Sequence, residues 1–320
     1  MKNKLTSIIL PTYNGEKYIK RAIESVLNQT YQDFEIVVVD DFSKDNTVNI
    51  VKDLQKDNPS IKLLCLNENS GGPALPKNKG FEISSGEYIS YLDQDDEWFP
   101  NKLQEQIDLF TNSPKNNLGL VSCGANLIDS DGKCFSIFTP VKKENIFPEI
   151  LLRNPIYSNS SVMIKREVIN VVGRRDENIK YSEDLDMWIR IAKAGYSIDY
   201  IYQSLFRYQF HEDNVTKTAG KMVKVIDMEH LFLKHQDLYL KYNYVHIGYF
   251  RLGVMYFLGG DSKKSRESFT KSMKINKLFL PSYFGYIFSM LGNIGIMIIN
   301  FLIFFYRLMR GKRYLLLSSK

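Results

Sequence analysis

Short apolar runs alternate with helical patterns along the first hundred residues. The runs cover residues 5–10, 34–39, 61–66 and 88–92, and unbroken apolar runs of this length are typical of strands buried on both faces. Between the first two runs, apolar residues recur at helical spacing, as expected for a helix packed on a sheet: Tyr18, Ile19, Ala22, Ile23, Val26 and Leu27. Strands that alternate with helices predict an α/β fold with a mainly parallel sheet.

Polar loops follow three of the predicted strands. "PTYNGEKY" ends the first, "DDFSKDNT" ends the second, and "DQDDEW" ends the fourth. Ligands of parallel α/β sheets bind beyond the carboxyl ends of the strands, which meet at one edge. We therefore expect the three loops to converge on a single site.

The carboxylates after the fourth strand are candidates for a metal site. Asp93 and Asp95 alternate along the turn, so both can face one side and converge on Mg²⁺ or Mn²⁺. These ions prefer oxygen ligands and keep positions free for substrate phosphates. A solvated acidic turn is the alternative, and the position behind a buried strand, where the polar loops meet, weakens that alternative.

Two further segments carry charged residues whose roles stay open at this point. Lys77 and Lys79 begin a short predicted helix after a Gly- and Pro-rich loop, and helical lysines form a solvated face or reach a diphosphate. Residues 118–164 hold apolar stretches around a turn at 129–132, which predicts a hairpin. Glu183 and Asp184 begin a predicted helix within 181–196, where acids complement the helix dipole or serve a site.

The stretches "SIILPTYNGEKYIKRAIESVLNQTYQDFEIVVVDDFSKDNT" and "GEYISYLDQDDEWFP" resemble the nucleotide-diphospho-sugar-binding half of family 2 glycosyltransferases. The resemblance covers about residues 4–215 and implies the A-type glycosyltransferase fold, with a mainly parallel central sheet and an inverting reaction. It implies a catalytic domain over 1–215, in which 1–100 bind the nucleotide sugar and 101–215 the acceptor.

The resemblance also implies residue roles on the donor side. The loop after the first strand holds the nucleobase, Asp41 reads the uracil ring, and Asp93 lies nearest the ribose. Lys77 and Asn78 stand where the family often has an Arg-Asn pair, and Lys keeps the charge without bidentate geometry. The implied donor-binding residues are Pro11, Thr12, Tyr13, Asp41, Lys77, Asn78 and Asp93.

The remaining implied roles belong to the metal and the acceptor. Asp95 corresponds to the direct ligand of Mn²⁺ or Mg²⁺, with Asp93 and His211 as further members of the metal site, and Asp96 has a supporting role. Asp184 corresponds to the general base that accepts the proton of the acceptor hydroxyl, a contribution of ~10²–10⁴-fold in rate.

The C-terminal part of the sequence is apolar and flanked by basic residues. Residues 278–306 contain no charged residue, and about 20 apolar residues suffice to span a bilayer. Both flanks are basic, and Pro and Gly interrupt the run, so we expect in-plane or re-entrant attachment rather than one crossing. Residues 216–277 are predicted to be a helical linker with one tetratricopeptide-like pair at 251–276, and 278–320 to be membrane-associating helices with a basic tail.

Composition is compatible with this assignment. The 320 residues are 44% hydrophobic and 24% charged, which is ordinary for a globular protein, and the three cysteines are not spaced for a disulfide framework or a zinc site. We attribute the net charge of +6 to an anionic membrane surface rather than to nucleic acid. No signal peptide is expected, and the protein is predicted to lie on the cytoplasmic face of the cell membrane.

The sequence therefore predicts a metal-dependent glycosyltransferase that moves a hexose or N-acetylhexosamine from a UDP-sugar to a lipid-linked glycan acceptor. The predicted pathway is surface polysaccharide biosynthesis. A nucleotidyltransferase making activated sugars is one alternative, but it needs a Gly-rich triphosphate loop, and "PTYNGEKY" has one glycine. A non-catalytic membrane adaptor is another, and loss of Asp95 or Asp184 would indicate it. Both residues are present.

Overall fold

The computed structural model describes residues 4–140, 146–211, 220–292 and 294–298. The chain forms two compact units, residues 1–218 and 219–320. The predicted basic tail and the end of the apolar run, residues 299–320, lie outside the described residues.

The first unit begins with the predicted parallel half-sheet. Its strands are β1 (Thr6–Thr12), β2 (Phe34–Asp40), β3 (Ile61–Cys65) and β4 (Tyr88–Tyr91). The helices between them are α1 (Ile19–Leu27), α2 (Thr47–Asp57) and α3 (Ala74–Ile83). The strands pair in parallel in the order β3-β2-β1-β4. The prediction of alternating strands and helices is confirmed over this part of the chain.

The rest of the first unit extends the sheet with mixed strand directions. Its elements are β5 (Glu97–Trp98), α4 (Lys102–Asn112), β6 (Leu118–Ile128), β7 (Cys134–Phe138), β8 (Met163–Lys165), α5 (Arg166–Val172), α6 (Glu183–Lys193) and β9 (Ser197–Gln209). Strand order continues from β4 through β8, β6 and β9 to β5, with β7 paired to β6. The hairpin predicted around 129–132 is the β6–β7 pair.

The prediction of a mainly parallel sheet is corrected by this second half. β8 is antiparallel to both β4 and β6, and β5 is antiparallel to β9, whereas β6 and β9 are parallel. An apolar run indicates that a strand is buried but carries no information on its direction. The sheet is therefore mixed, with a parallel half that bears the three polar loops.

Close packing of helices on the parallel half explains how the loops are held in place. Ile8, Leu10, Ile36 and Val38 belong to one buried cluster with the apolar face of α1. On α3, a Cβ atom added at Gly80 would lie 2.5 Å from Cγ2 of Ile9. Glycine at this position therefore allows α3 to approach β1 closely.

The second unit is helical. Its helices are α7 (Lys221–Lys234), α8 (Gln236–Lys241), α9 (Val245–Leu258), α10 (Ser262–Ile275) and α11 (Leu280–Met290). The predicted helix pair around Gly-Gly-Asp is α9 and α10, and the Asp261 side chain caps α10 by accepting from the Lys264 amide at 2.9 Å. Within the described ranges of the chain, the helices are all too short or too polar to cross a membrane.

Candidate active site

The three polar loops open onto one cleft of about 950 Å³ in the first unit. The cleft lies beyond the carboxyl ends of β1, β2 and β4, as the strand order predicts. Most of the predicted site residues line it: Pro11, Thr12, Tyr13, Asp41, Lys77, Asp93, Asp95, Asp184 and His211. Residues from both predicted halves of the catalytic region therefore face a common space.

The side chain of Gln94 joins the loop after β4 to the loop after β1. Its Oε1 accepts from the Thr12 hydroxyl at 2.5 Å and from the Tyr13 amide at 2.9 Å, and its Nε2 donates to the Tyr13 carbonyl at 3.2 Å. The sequence analysis did not identify this residue. Gln94 lies in a turn, and its partners are 82 and 81 residues earlier in the chain, so the local sequence gave no signal for these contacts.

Asp41 is held in the cleft by the loop after β3. Its carboxylate accepts hydrogen bonds from the Ser70 amide and the Ser70 hydroxyl, each at 2.9 Å. Burial raises the pKa of Asp41, and the bonds from Ser70 act against that rise. Lys180 donates to the Ser70 carbonyl at 3.1 Å, which connects this loop to the segment before α6.

Asp95 and His211 form the part of the site with metal-ligand chemistry. Oδ2 of Asp95 lies 2.8 Å from Nε2 of His211, whose ring stacks on Tyr18 at 4.9 Å. Two ligands at right angles around an ion with ~2.1 Å bonds are about 3 Å apart, so one oxygen and one nitrogen at this separation fit a shared divalent ion. Arg21 donates to the Asp95 carbonyl at 3.0 Å and fixes the turn.

Asp93, the third predicted member of the metal site, faces a different partner. Its Oδ1 lies 3.7 Å from Nζ of Lys77, and its amide donates to the Ser160 hydroxyl at 3.0 Å. The described residues contain no group of three or more acidic, His or Cys side chains arranged to hold a metal. The three-residue metal site therefore stays a prediction, with Asp95 and His211 as the pair whose geometry fits.

Asp96 lies beneath the turn and is almost fully buried. Its Oδ1 accepts from the Gln209 amide at 3.1 Å, which connects the turn to the end of β9. Burial, with the nearby charges of Asp95 and Asp93, raises the pKa of Asp96 well above its ordinary value. This position is compatible with the predicted supporting role.

Asp184 lies in the first turn of α6 and lines the cleft. Its Oδ2 accepts from Nδ2 of Asn154 at 3.1 Å, and its Oδ1 accepts from the Leu185 amide at 2.6 Å. Burial and the adjacent charge of Glu183 raise the pKa of Asp184 to about 6. A carboxylate that ionises just below neutral pH is suited to accept a proton as a general base.

Glu183 has the opposite electrostatic environment. Burial alone would raise its pKa, but Lys77 and Arg175 together lower it. Arg175, which the sequence analysis did not identify, is buried with Nη1 3.3 Å from Oε1 of Glu183. Glu183 is near in the chain, but Tyr91, on which the guanidinium packs, and Asn78, which accepts from the Arg175 amide, are distant. The local sequence "GRRDE" therefore gave no signal for its burial.

Lys77 and Asn78 are buried in α3. Lys77 is 2% exposed, so the solvated-face alternative for this lysine is wrong. Asn78 accepts from the Arg175 amide and donates to the Arg175 carbonyl, each at 3.0 Å, and is not among the described residues that line the cleft. The predicted donor contacts of both residues stay predictions.

Comparison with known proteins identifies the family. Residues 7–173, just over half of the chain, match the family model described as Glycosyl transferase family 2. The chain belongs to this family. It is 31% identical over 225 residues to the putative teichuronic acid biosynthesis glycosyltransferase TuaG of Bacillus subtilis, covering 69% of this chain and 84% of that one. The prediction that this protein is a glycosyltransferase is thereby confirmed.

Solved structures support the fold of this family 2 glycosyltransferase. S. aureus TarS 1–349 in complex with UDP-GlcNAc has a TM-score of 0.58 at 17% identity, covering 89% of this chain and 90% of that chain. Mannosyltransferase PcManGT from Pyrobaculum calidifontis in complex with GDP-Man and Mn²⁺ has a TM-score of 0.57 at 18% identity, covering 88% and 77%. The predicted A-type fold is confirmed in its α/β architecture, with the mixed sheet described above.

Proposed function

We propose that this glycosyltransferase moves a hexose or N-acetylhexosamine from a UDP-sugar to a lipid-linked glycan acceptor, with the help of a divalent metal ion. The pathway that we propose is the biosynthesis of a surface polysaccharide. The observation that carries the proposal is the shared cleft, in which Asp41, the Asp95–His211 pair and Asp184 all face one cavity of about 950 Å³. A cavity of that size accommodates a nucleotide sugar.

The chain supplies binding groups and a proton acceptor for this reaction. Asp41 would accept hydrogen bonds from the nucleobase, and Tyr13, which is 44% exposed and lines the same cleft, would offer a ring face. Asp184 accepts the proton of the acceptor hydroxyl as its oxygen attacks the anomeric carbon, and a single displacement inverts that centre. Asp95 and His211 would hold Mn²⁺ or Mg²⁺, which when bound neutralises charge on the leaving diphosphate.

The proposed donor class rests on the relatives and on the site. The TarS and PcManGT structures contain UDP-GlcNAc and GDP-Man respectively, so nucleotide-diphosphate sugars occupy proteins of this fold. We favour uridine because the family resemblance assigns Asp41 to the uracil ring. TuaG is named for teichuronic acid biosynthesis, which favours a cell-surface glycan as the acceptor.

The proposed membrane attachment rests on the second unit. Leu280, Phe284 and Ile287 of α11 recur at helical spacing and are 62%, 55% and 52% exposed. Exposed lysines precede this apolar face in the chain: Lys263, Lys264, Lys271, Lys274 and Lys277. An exposed apolar face beside basic residues favours in-plane binding to an anionic membrane, which suits a lipid-linked acceptor at the cytoplasmic face.

A UDP-release assay with Mn²⁺ tests the proposed reaction. Candidate UDP-sugars are first screened by thermal shift, and those that stabilise the protein are then assayed with lipid-linked acceptors. We expect metal-dependent UDP release that falls at least 100-fold in Asp184→Asn. Release that proceeds equally after chelation, or that Asp184→Asn leaves intact, contradicts the proposed chemistry.

Vesicle binding tests the membrane attachment separately. The full chain is sedimented with phosphatidylglycerol-containing vesicles, and Phe284→Asp with Ile287→Asp is expected to release it. The matched control is Val171→Asp, which adds a charge at a position that is 65% exposed in the first unit. Equal sedimentation of the α11 variant and the control excludes this surface as the attachment site.

A further inference from the structure

The Lys77 ammonium lies between the turn after β4 and the first turn of α6. Its Nζ is 3.1 Å from Oε1 of Glu183 and 3.7 Å from Oδ1 of Asp93. The Lys77 side chain is 2% exposed and that of Glu183 is 3% exposed. A single buried cation therefore contacts an acid on the donor side of the cleft and an acid directly before the candidate base.

Arg175 holds the same glutamate from another direction. Its Nη1 lies 3.3 Å from Oε1 of Glu183, and its guanidinium lies 4.3 Å from the centre of the Tyr91 ring. Asn78, the neighbour of Lys77, bonds both the amide and the carbonyl of Arg175 at 3.0 Å. Two consecutive residues of α3 thus fix the segment that leads into α6.

Because the Lys77 ammonium already has a buried partner in Glu183, a contact between this ammonium and a substrate phosphate is unfavourable. A buried ammonium requires a close partner, and breaking a buried pair leaves an uncompensated charge. The Lys77 ammonium would have to leave Glu183 to reach a diphosphate, and Glu183 would then lose its closest cation. The contact with Glu183, at hydrogen-bond distance, is also shorter than the contact with Asp93.

We propose that Lys77 is a positioning residue that ties the Asp93 turn to Glu183 and so holds Asp184 against the donor site, without contacting the donor diphosphate. This inference rests on the proposed function and specifies how the two sides of the cleft are aligned. General-base catalysis requires the base within hydrogen-bond reach of the acceptor hydroxyl, so a displaced α6 start slows transfer without weakening nucleotide binding.

Separate measurements of UDP affinity and turnover test the proposal. Lys77→Met is compared with wild type by calorimetric titration of UDP with Mn²⁺ and by kcat for sugar transfer. We expect the Kd for UDP to change less than about 3-fold while kcat falls at least 10-fold, and Lys77→Arg to restore most of kcat. A Kd weakened 10-fold with kcat retained, or no recovery in Lys77→Arg, overturns the proposal.

Lys79→Met is the matched control, because Lys79 lies on the same helix and pairs with Glu82 at 3.0 Å while 41% exposed. It is expected to leave both quantities unchanged. Should Lys77→Met fail to fold, Glu183→Gln is measured in its place. The same division between Kd and kcat supports the proposal, and a loss of UDP affinity alone overturns it.

A double-mutant cycle tests the ion pair between Lys77 and Glu183 without a measurement of activity. Thermal unfolding is measured for Lys77→Met, Glu183→Gln and the double variant. Because contacting charges couple, the shift in Tm of the double variant should be smaller than the sum of the single shifts by roughly 2 °C or more. Additive shifts in Tm would show that Lys77 and Glu183 are not coupled and would overturn the proposal. If the wild-type protein did not bind UDP, that result would instead contradict the proposed function. The double-mutant cycle would still test the contact between Lys77 and Glu183.

Discussion

Asp184→Asn is expected to make the protein more stable at neutral pH while it removes the transfer activity. The carboxylate is half-buried in the first turn of α6, next to the charge of Glu183. Its ionised form is therefore disfavoured in the folded state. Asparagine has nearly the same shape and carries no charge, so the substitution removes that electrostatic cost.

The expected magnitude follows from the perturbed pKa. Burial and Glu183 raise the pKa of Asp184 from 3.8 to about 6, and a tenfold change in proton affinity corresponds to ~1.4 kcal/mol. The ionised carboxylate thus costs the folded state at most about 3 kcal/mol at pH 7, less screening by water in the cleft. Loss of the bond from Asn154 offsets ~1 kcal/mol. We expect a net gain of about 1–2 kcal/mol in the free energy of unfolding.

The gain depends on pH in a defined direction. Because the pKa of Asp184 is higher in the folded chain than in the unfolded chain, the unfolded chain loses this proton first as pH rises. The wild-type protein loses stability from this group between about pH 4 and 6 and bears the full penalty above pH 7. The advantage of Asp184→Asn should therefore be complete at pH 7 and nearly absent at pH 4. Wild-type transfer should rise with pH through about 6.

Urea unfolding of both proteins at pH 4 and pH 7 measures the effect. Glu183→Gln is the matched control, since Lys77 and Arg175 lower the pKa of Glu183 against the effect of burial. That carboxylate stabilises the folded state at neutral pH, so the control should be less stable than wild type. An Asp184→Asn variant that is less stable at pH 7, or equally shifted at both pH values, would refute the electrostatic account of this residue.

Three further substitutions test the packing and the turn beneath the site. Gly80→Ala should lower the free energy of unfolding by ~1–3 kcal/mol, because the new Cβ would lie 2.5 Å from Ile9 Cγ2; an unchanged urea midpoint would show that α3 can move. Gln94→Ala removes the hydrogen bonds to Thr12 and Tyr13 and should weaken UDP binding about 10-fold by calorimetry. An unchanged affinity for UDP would show that these hydrogen bonds between the loops after β1 and β4 do not contribute to binding. Trp98→Phe removes the 2.9 Å bond from Nε1 to the Ser160 carbonyl and should cost ~1–2 kcal/mol by thermal unfolding, whereas a neutral result would argue that water replaces it.

The sequence predicted the parallel half of the fold because the determinants there are local. An apolar run followed directly by polar residues, as at residues 34–41, contains both the strand and the loop that ends it. Parallel order then places all such loops at one edge, whatever the exact register. For this reason Asp41 and Asp95 were expected near one site, whereas Asp184 was assigned to it by the family resemblance. The cleft contains all three.

Features that depend on distant contacts could not be predicted in this way. The burial of Lys77 follows from Glu183, which lies 106 residues further along the chain, and helical spacing alone favoured a solvated lysine. The direction of β8 depends on the strands between which it inserts, so the mixed sheet was missed. Arg175 packs its guanidinium on Tyr91 of β4, and its amide donates to Asn78 of α3, 97 residues earlier in the chain.

The central claim is that the loops after β1, β2 and β4 enclose a divalent ion and a uridine diphosphate. A crystal structure with UDP and Mn²⁺, with anomalous diffraction to locate the metal, tests it most directly. The account predicts an anomalous peak about 2.2 Å from Oδ2 of Asp95 and Nε2 of His211, with the uracil ring at Asp41. Manganese bound away from this pair, or UDP bound outside the cleft, would contradict it.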